Sequence, residues 1–170
     1  MKTVIINSGG YLKKILIVDL KEKTFDIRQL KRSMEDLYFG GRGLGAALLM
    51  DHFTTLQNEG KYHNAFREVD PLSEDNVLIF TASPTTGTKM PTSGRFHVNF
   101  KSPMTDGIGS ANSGGKWAVA FKKTGHDVLI IRGKSRIPVY LNISSDGVNF
   151  FDAEFLLELN AEEITDLLIE

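Results

Sequence analysis

The sequence predicts an α+β domain that is rich in β structure. Many apolar runs have the length of a strand, segments rich in glycine and proline separate them, and only a few short stretches show helical spacing. The chain has 170 residues, of which 41% are hydrophobic and 24% are charged. These proportions are close to the average of globular proteins, so we expect a single domain with its own buried core.

The predicted strands include two hairpins. Residues 13–20 (KKILIVDL) and 24–27 (TFDI) are β-rich runs with a short polar segment between them, which is typical of a hairpin. Asp146 and Gly147 form a favoured hairpin turn between two later runs. The strand-length runs after the first hairpin cover residues 77–81, 95–101, 127–132, 139–143 and 148–151.

Helical spacing is restricted to short segments. We expect one helical turn over residues 34–39, a helix over residues 44–53, and a short helix over residues 116–123 that ends at Gly125. A capping-box pattern at Asn160 and Glu163 predicts a last helix, whose apolar stripe consists of Ile164, Leu167 and Leu168.

Two long segments show no clear period. Residues 54–70 are polar and irregular, so we expect a peripheral loop or insertion. Residues 102–115 are rich in glycine and serine, and they predict a second loop.

Charge and cysteine content exclude several functions. A formal net charge of -1 gives no overall basic field, so nucleic acid is not an expected partner. The absence of cysteine excludes a disulfide, a thiolate nucleophile, a thiolate zinc site and a cysteine-ligated cluster within these residues. Residues 1–10 are too polar for a signal peptide and no run has membrane-spanning length, so we expect a cytoplasmic protein without a membrane partner.

Four glycine-rich segments are candidate binding loops, at residues 40–45, 83–88, 92–95 and 110–115. Glycine lets consecutive amide groups turn towards an anion, although each segment alone is more typical of an ordinary turn. The first segment, GGRGLG, follows no convincing parallel strand and lacks the Gly-Lys-Ser/Thr ending of a phosphate-binding P-loop.

Single residues in these segments remain ambiguous by position. Arg95 could bind a phosphate or pair with a surface carboxylate, whereas for Arg42 the favoured interpretation is that it holds loop carbonyls in place. Asn112 alone is more typical of a turn than of a ligand. His97 shares a strand face with Arg95 and Asn99, and we expect that face to be solvated.

Taken in chain order, several of these segments resemble the N-terminal domain of the aldehyde:ferredoxin oxidoreductases. The resemblance extends from about Tyr11 to the end of the chain, and residues 1–170 are interpreted as this one pterin-binding domain. The matching segments are GGRGLGAALL, DPLSEDNVLIF, PTTGT, PTSGRFHV, KSPMTDGIGSANSGG and KKTGHDVLIIRGKSRIPVYL.

The resemblance implies a fold and a cofactor. In this family the domain consists of two sheets, with a few short helices, that form a base under a tungsten ion held by two pterin dithiolenes, and magnesium links the pterin phosphates. The cofactor is therefore expected to be tungstopterin, or molybdopterin if molybdenum replaces tungsten.

The resemblance also implies site residues. Arg95 is placed as a contact of a pterin phosphate or ring, Asn112 as a magnesium ligand through its backbone carbonyl, and Gly114 as a backbone contact. Gly43, Ser113 and Gly115 are further candidates for cofactor binding. No residue of the chain is expected to be catalytic.

The implied reaction is oxidation of an aldehyde to a carboxylic acid, with electrons passing through an iron–sulfur cluster to ferredoxin. In the family the cluster and substrate pocket lie in helical domains, so we expect this chain to need such domains, or a partner subunit that carries them. A homodimer through the last helix is a further expectation. The alternative is a non-catalytic β domain that uses its glycine-rich loops for protein contacts.

Overall fold

The computed structural model describes residues 10–169. Six strands form a mixed sheet in the order β2-β1-β6-β3-β4-β5, and β7 pairs with β8 in a separate hairpin. The strands are β1 Lys14–Asp19, β2 Thr24–Gln29, β3 Leu78–Ala82, β4 Phe96–Lys101, β5 Ile108–Ser113, β6 Val128–Arg132, β7 Val139–Ile143 and β8 Val148–Asp152. The helices are α1 Arg32–Leu37, α2 Gly41–Asn58, α3 Ala65–Glu68, α4 Trp117–Lys123 and α5 Ala161–Ile169, with a 3-10 turn at Glu154–Leu156.

The centre of the sheet is buried on both faces. β1 runs parallel to β6 and antiparallel to β2, and the other neighbouring strands are antiparallel. Four successive residues of β1, from Ile15 to Val18, are buried. Since successive side chains of a strand point to opposite faces, this continuous apolar run requires cover on both sides.

Two clusters of side chains provide that cover. On one face, Ile15 and Ile17 pack with apolar residues of α2 and with residues that follow it. On the other face, Leu16 and Val18 pack with Phe121 of α4 and with the β7–β8 hairpin. The predicted β-rich α+β domain with two sheets is therefore confirmed.

The prediction that residues 54–70 form a peripheral loop was wrong. α2 continues to Asn58, and α3 follows after a cap in which the Asn64 side chain accepts a hydrogen bond from the backbone amide of Arg67. Leu56, Ala65 and Val69 are buried in the first cluster. Most residues of this segment are polar. Its few apolar residues are buried through tertiary contacts, which the sequence pattern does not show.

β5 lies inside the segment predicted as a second loop, and that prediction was also wrong. Only residues 102–107 form a turn, in which the Ser102 amide donates to the Gly107 carbonyl at 2.8 Å. β5 then pairs with β4 as an edge strand. Most of its residues are small and exposed, and a Cβ atom on Gly109 would lie 2.5 Å from the Phe100 ring, so this ring packs closely against the glycine. Such a strand lacks the alternation of apolar residues by which strands are recognised.

The last helix begins as the sequence predicts. The Asn160 side chain accepts hydrogen bonds from the amides of Glu162 and Glu163, and the Glu163 carboxylate accepts one from the Asn160 amide at 2.8 Å. No residue of α5 is buried, and Leu167 and Leu168 are exposed. Of the helices between residues 10 and 169, none combines the length and the apolar character needed to cross a bilayer.

Candidate functional site

A cleft of about 400 Å³ lies between the first turn of α2 and the loop of residues 83–93. It is at the β3–β4–β5 end of the sheet, where α2 packs against β3 and β4. Its lining consists of Phe39, Gly40, Gly41, Arg42, Gly43, Ser83, Thr85, Thr92, Ser93, Arg95 and His97.

The α2 wall of the cleft is built from glycine. Gly40 has φ of 109° and Gly41 has φ of 55°, conformations that other residues rarely adopt. A Cβ atom on Gly41 would lie 3.1 Å from the His97 ring, so the helix approaches β4 closely. The Thr81 hydroxyl donates to the Gly41 carbonyl at 2.8 Å and fixes this turn to β3.

No side chain caps the beginning of α2, and its first turn contains no acidic residue. The first amide groups of a helix have no partner within the helix and carry a partial positive charge. Gly41, Arg42 and Gly43 belong to this turn and all three line the cleft. The α2 wall is therefore electropositive.

The opposite wall is a loop rich in hydroxyl groups. Thr86, which is fully buried, closes this loop because its hydroxyl accepts from the Ser83 amide at 3.2 Å and donates to the Ser93 carbonyl at 2.9 Å. The hydroxyls of Ser83 and Thr85 are 2.9 Å apart and hydrogen-bonded. Thr86 thus holds both ends of the loop at the cleft.

A buried ion pair between Lys122 and Asp127 contacts the backbone of this loop at Ser83. Lys122 lies 2.7 Å from the Asp127 carboxylate, donates to the Gly10 carbonyl at 2.6 Å and approaches the Ser83 carbonyl at 3.4 Å. The second Asp127 oxygen accepts from the amides of Leu12 and Lys13. All polar atoms of the pair therefore have partners, as burial of charge requires.

His97 lines the cleft together with Arg42 and Arg95. Burial, followed by the positive charges of Arg42 and Arg95, lowers the pKa of His97 below its ordinary value. Its Nδ1 atom is buried and has no hydrogen-bond partner within the described part of the chain. The imidazole is therefore neutral near pH 7.

Two of the predicted site residues, Arg95 and Gly43, line the cleft on different walls. The Arg95 guanidinium donates a hydrogen bond to the side-chain oxygen of Asn112, which lies on β5. Ser113 pairs with Phe96, the residue after Arg95.

Gly114 and Gly115 follow β5, and the Gly115 carbonyl is 3.6 Å from where a Cβ atom of Gly94 would be. Together with Arg95, Asn112 and Ser113 they form a continuous band that extends from the cleft along β5. A Cβ atom on either glycine would meet nothing within 4 Å, so the space above them is open.

Two interpretations made from the sequence differ from the structure. The β4 face that carries His97 is not solvated, because α2 covers it and Asn99 is fully buried against Gly45. Arg42 does not hold loop carbonyls, since no hydrogen bond between residues 10 and 169 uses its side chain.

Six further lining residues belong to the segments predicted as candidate binding loops but were not singled out within them, namely Gly40, Gly41, Ser83, Thr85, Thr92 and Ser93. Phe39 was not predicted, and His97 was expected to be solvated. The glycine-rich and hydroxyl-rich segments did mark most of them as loops. Their convergence depends on the packing of α2 against β3 and β4, which the sequence pattern does not specify.

The arrangement is suited to binding an anion. Its lining contains two guanidinium groups, a helix terminus and several hydroxyls, but no carboxylate. Within residues 10–169, no three His, Cys, Asp or Glu side chains are grouped so that they could hold a metal ion.

The chain is similar to known proteins over most of its length. The model of the family described as "Aldehyde ferredoxin oxidoreductase, N-terminal domain" matches residues 15–170. A tungsten-containing aldehyde ferredoxin oxidoreductase of Pyrococcus abyssi is 38% identical over 144 residues, which are 85% of this chain and 22% of the relative. A Pyrococcus furiosus protein named "Aliphatic sulfonate oxidoreductase, WOR-like subunit" is 33% identical, over 85% of this chain and 21% of the relative.

A solved structure shares the fold. It is the active site complex BamBC of benzoyl coenzyme A reductase in complex with 1,5 dienoyl-CoA, with a TM-score of 0.83 and 32% identity. The match covers 94% of this chain and 22% of that chain. This chain thus spans about a fifth of the length of these relatives. Over nearly its whole length, the chain belongs to the aldehyde ferredoxin oxidoreductase family, to the part described as its N-terminal domain.

Proposed function

We propose that this chain provides one wall of a site for a tungsten cofactor with two pterins, in a cytoplasmic oxidoreductase that converts aldehydes to carboxylic acids and passes electrons to ferredoxin. Relatives that are named tungsten-containing aldehyde ferredoxin oxidoreductases support the choice of cofactor and reaction. Molybdenum in the same pterin ligands is the alternative metal.

The observation that carries the proposal is the contact between Arg95 and Asn112. These two residues are 17 positions apart, yet the pairing of β4 with β5 joins their side chains at the edge of the cleft. A guanidinium in this position can donate two parallel hydrogen bonds to a phosphate or to the polar edge of a pterin. The resemblance to the family implies that Asn112 would bind magnesium through its backbone carbonyl.

The residues present are suited to such a cofactor. The cleft holds positive groups without carboxylates, and the open space over Gly114 and Gly115 gives a flat molecule access to the backbone. Ser113 and Gly43 extend this surface on either side of Arg95. The bound cofactor would supply the redox chemistry, while these residues bind, orient and partly enclose it.

The remaining parts of the site must come from other residues than these 170. The chain contains no cysteine, so a cysteine-ligated iron–sulfur cluster has to be held by helical domains or by a partner subunit. A homodimer through α5 would be an additional contact, because the apolar residues of that helix are exposed.

Replacement of Arg95 by alanine in the assembled enzyme tests the proposal. Loss of a charge-assisted hydrogen bond to phosphate should lower the content of tungsten and pterin about tenfold or more. Unfolding free energy should change by about 0.5 kcal/mol or less, because Arg95 is exposed and no core is opened. Arg136→Ala, an exposed arginine outside the cleft, is the control.

Metal analysis and unfolding curves of both variants give the answer. An Arg95→Ala enzyme that keeps full metal content would assign Arg95 a structural role. An assembled wild-type enzyme that holds no tungsten or molybdenum would favour the alternative, a β domain that uses its loops for protein contacts.

A further inference from the structure

We propose that the cleft between α2 and residues 83–93 is a phosphate site in which Arg42 is a second anion-binding guanidinium beside Arg95. The ligand class is a phosphate monoester or diphosphate. This inference deepens the proposed function, since a terminal phosphate of the cofactor is one source of such a group. A free phosphorylated small molecule is the other source.

Unpaired charge is the first argument. Between residues 10 and 169, no carboxylate lies within 4.0 Å of the Arg42 or Arg95 side chain. Arg28, Arg32 and Arg132, by contrast, each lie within 4.0 Å of an aspartate. Arg67 and Arg136 also have no carboxylate at this distance within residues 10–169, but neither lines the cleft, so Arg42 and Arg95 are distinguished by sharing it. Arg42 and Arg95 both line the cleft beside His97, so their charges act on the same small volume.

Gly43 provides an independent argument. It has an ordinary helical backbone, and an added Cβ atom would touch only the Tyr38 ring, at 3.9 Å. The fold therefore does not require glycine at this position, and alanine would be the better helix residue. A ligand that approaches the amides of the first turn of α2 does explain it, because a methyl group there would obstruct the approach.

The loop wall contributes a hydroxyl donor. The hydroxyls of Thr92 and Ser93 already donate to backbone carbonyls, at 2.7 and 2.8 Å. Ser83 and Thr85 share one hydrogen bond between their hydroxyls, so one of the two hydrogens is free for a ligand oxygen. The volume of about 400 Å³ exceeds the needs of phosphate alone and leaves room for the group that carries it.

Titration of the purified chain with inorganic phosphate and with pyrophosphate, followed by calorimetry, tests the site. We expect saturable binding of pyrophosphate with one site per chain. Arg42→Gln should weaken it about tenfold or more, because a charge-assisted contact is lost. Arg136→Gln removes the same charge outside the cleft and should leave binding unchanged.

Gly43→Ala separates binding from folding. It should weaken pyrophosphate binding while the melting temperature stays the same or rises. The proposal is overturned if pyrophosphate shows no saturable binding at millimolar concentration, or if Arg42→Gln and Gly43→Ala both bind like the wild type.

A titration of the assembled enzyme, with and without its cofactor, distinguishes the two sources of phosphate. Binding that disappears when the cofactor is loaded identifies the phosphate of the cofactor as the occupant, and binding that persists identifies a free phosphorylated molecule. Either result supports a phosphate site. If Arg42→Gln abolishes phosphate binding but wild-type enzyme retains no pterin, only the proposed function fails.

Discussion

His126 shows how burial fixes the state of a single residue. Its Nδ1 atom lies 3.0 Å from the Thr124 hydroxyl, which already donates to the Phe121 carbonyl at 2.7 Å. The hydroxyl must therefore accept, and Nδ1 carries the hydrogen of a neutral ring. Burial, and then the charge of Lys14, lowers the pKa of His126.

This lowered pKa predicts a loss of stability in acid. Because the pKa is lower in the folded state, the unfolded chain binds more protons as the solution becomes acidic. The contribution of neutral His126 to the unfolding free energy is fully present above the ordinary histidine pKa of about 6.5. Below that pH the contribution is lost, and the whole loss is about 1.4 kcal/mol for each pH unit by which the folded-state pKa lies below the unfolded-state pKa. Urea unfolding at pH 7.5 and 5.0 should show this decrease.

His126→Gln should make the unfolding free energy less dependent on pH. His97, whose pKa is also lowered, adds to the same trend in both proteins. If the unfolding free energies of wild type and His126→Gln depended equally on pH, His126 would have the same pKa in the folded and the unfolded chain.

Residue types in the site could be predicted better than residue contacts. The resemblance to the family pointed to Arg95 and Asn112, and the structure joins them through the register of β4 and β5. The environment of His97 could not be predicted, because strand alternation tells which residues share a face but not what covers it. Arg42 was misinterpreted because its position in a glycine-rich segment does not show which groups surround its side chain.

At the scale of elements, the buried pair of Lys122 and Asp127 links α4, the beginning of β6, the N-terminal segment and the loop of the cleft. Removal of one charged partner leaves the other buried without compensation, which typically costs about 3–5 kcal/mol. We therefore expect Lys122→Met to lower the unfolding free energy by about this amount, as measured by urea unfolding.

Lys123 provides a matched control, because it is the next residue of the same helix and is exposed. Lys123→Met should change stability by about 0.5 kcal/mol or less. If both variants were equally stable, the pair would be neutral in the fold and could not hold the loop of the cleft in place.

Elements with a strong apolar pattern were predicted, and so were β2 and α5, which the hairpin pattern and the capping box indicated. β1, β3, β4, β6, β7 and β8 lie within a few residues of their predicted positions. α2 extends from Gly41 to Asn58, beyond both predicted ends, because the glycines at its start are helical and its last turn contributes only Leu56 to the core. β5 was missed because its small residues are recognised as a strand only through their pairing with β4.

In the whole molecule, the core and the candidate site lie in different parts of the sheet. The strands β1 and β6 lie in the middle of the fold, between the two clusters of apolar side chains. The cleft and the band along β5 lie at the β3–β4–β5 end of the sheet, where the edge strand β5 is exposed. The sheet thus presents a surface that is electropositive and open on one side, which is suited to a cofactor enclosed from both sides by a larger assembly.

From the separation of the core and the candidate site, we predict that the purified chain of 170 residues will fold but will not oxidise aldehydes, even when supplied with pterin cofactor and an artificial electron acceptor. Two clusters of buried apolar side chains give it a core of its own, but catalysis needs a cofactor held from both sides, a pocket beside the metal and an exit for electrons. The chain has no cysteine to hold a cluster, and the lining of its cleft contains no carboxylate to accept a proton. A dye-reduction assay with an aldehyde should therefore detect turnover only when the chain is combined with the helical domains or subunit that complete the site. Circular dichroism of the same samples would show that the inactive chain is folded. Turnover by the chain alone at a rate similar to the combined sample would mean that the active site is complete within these residues.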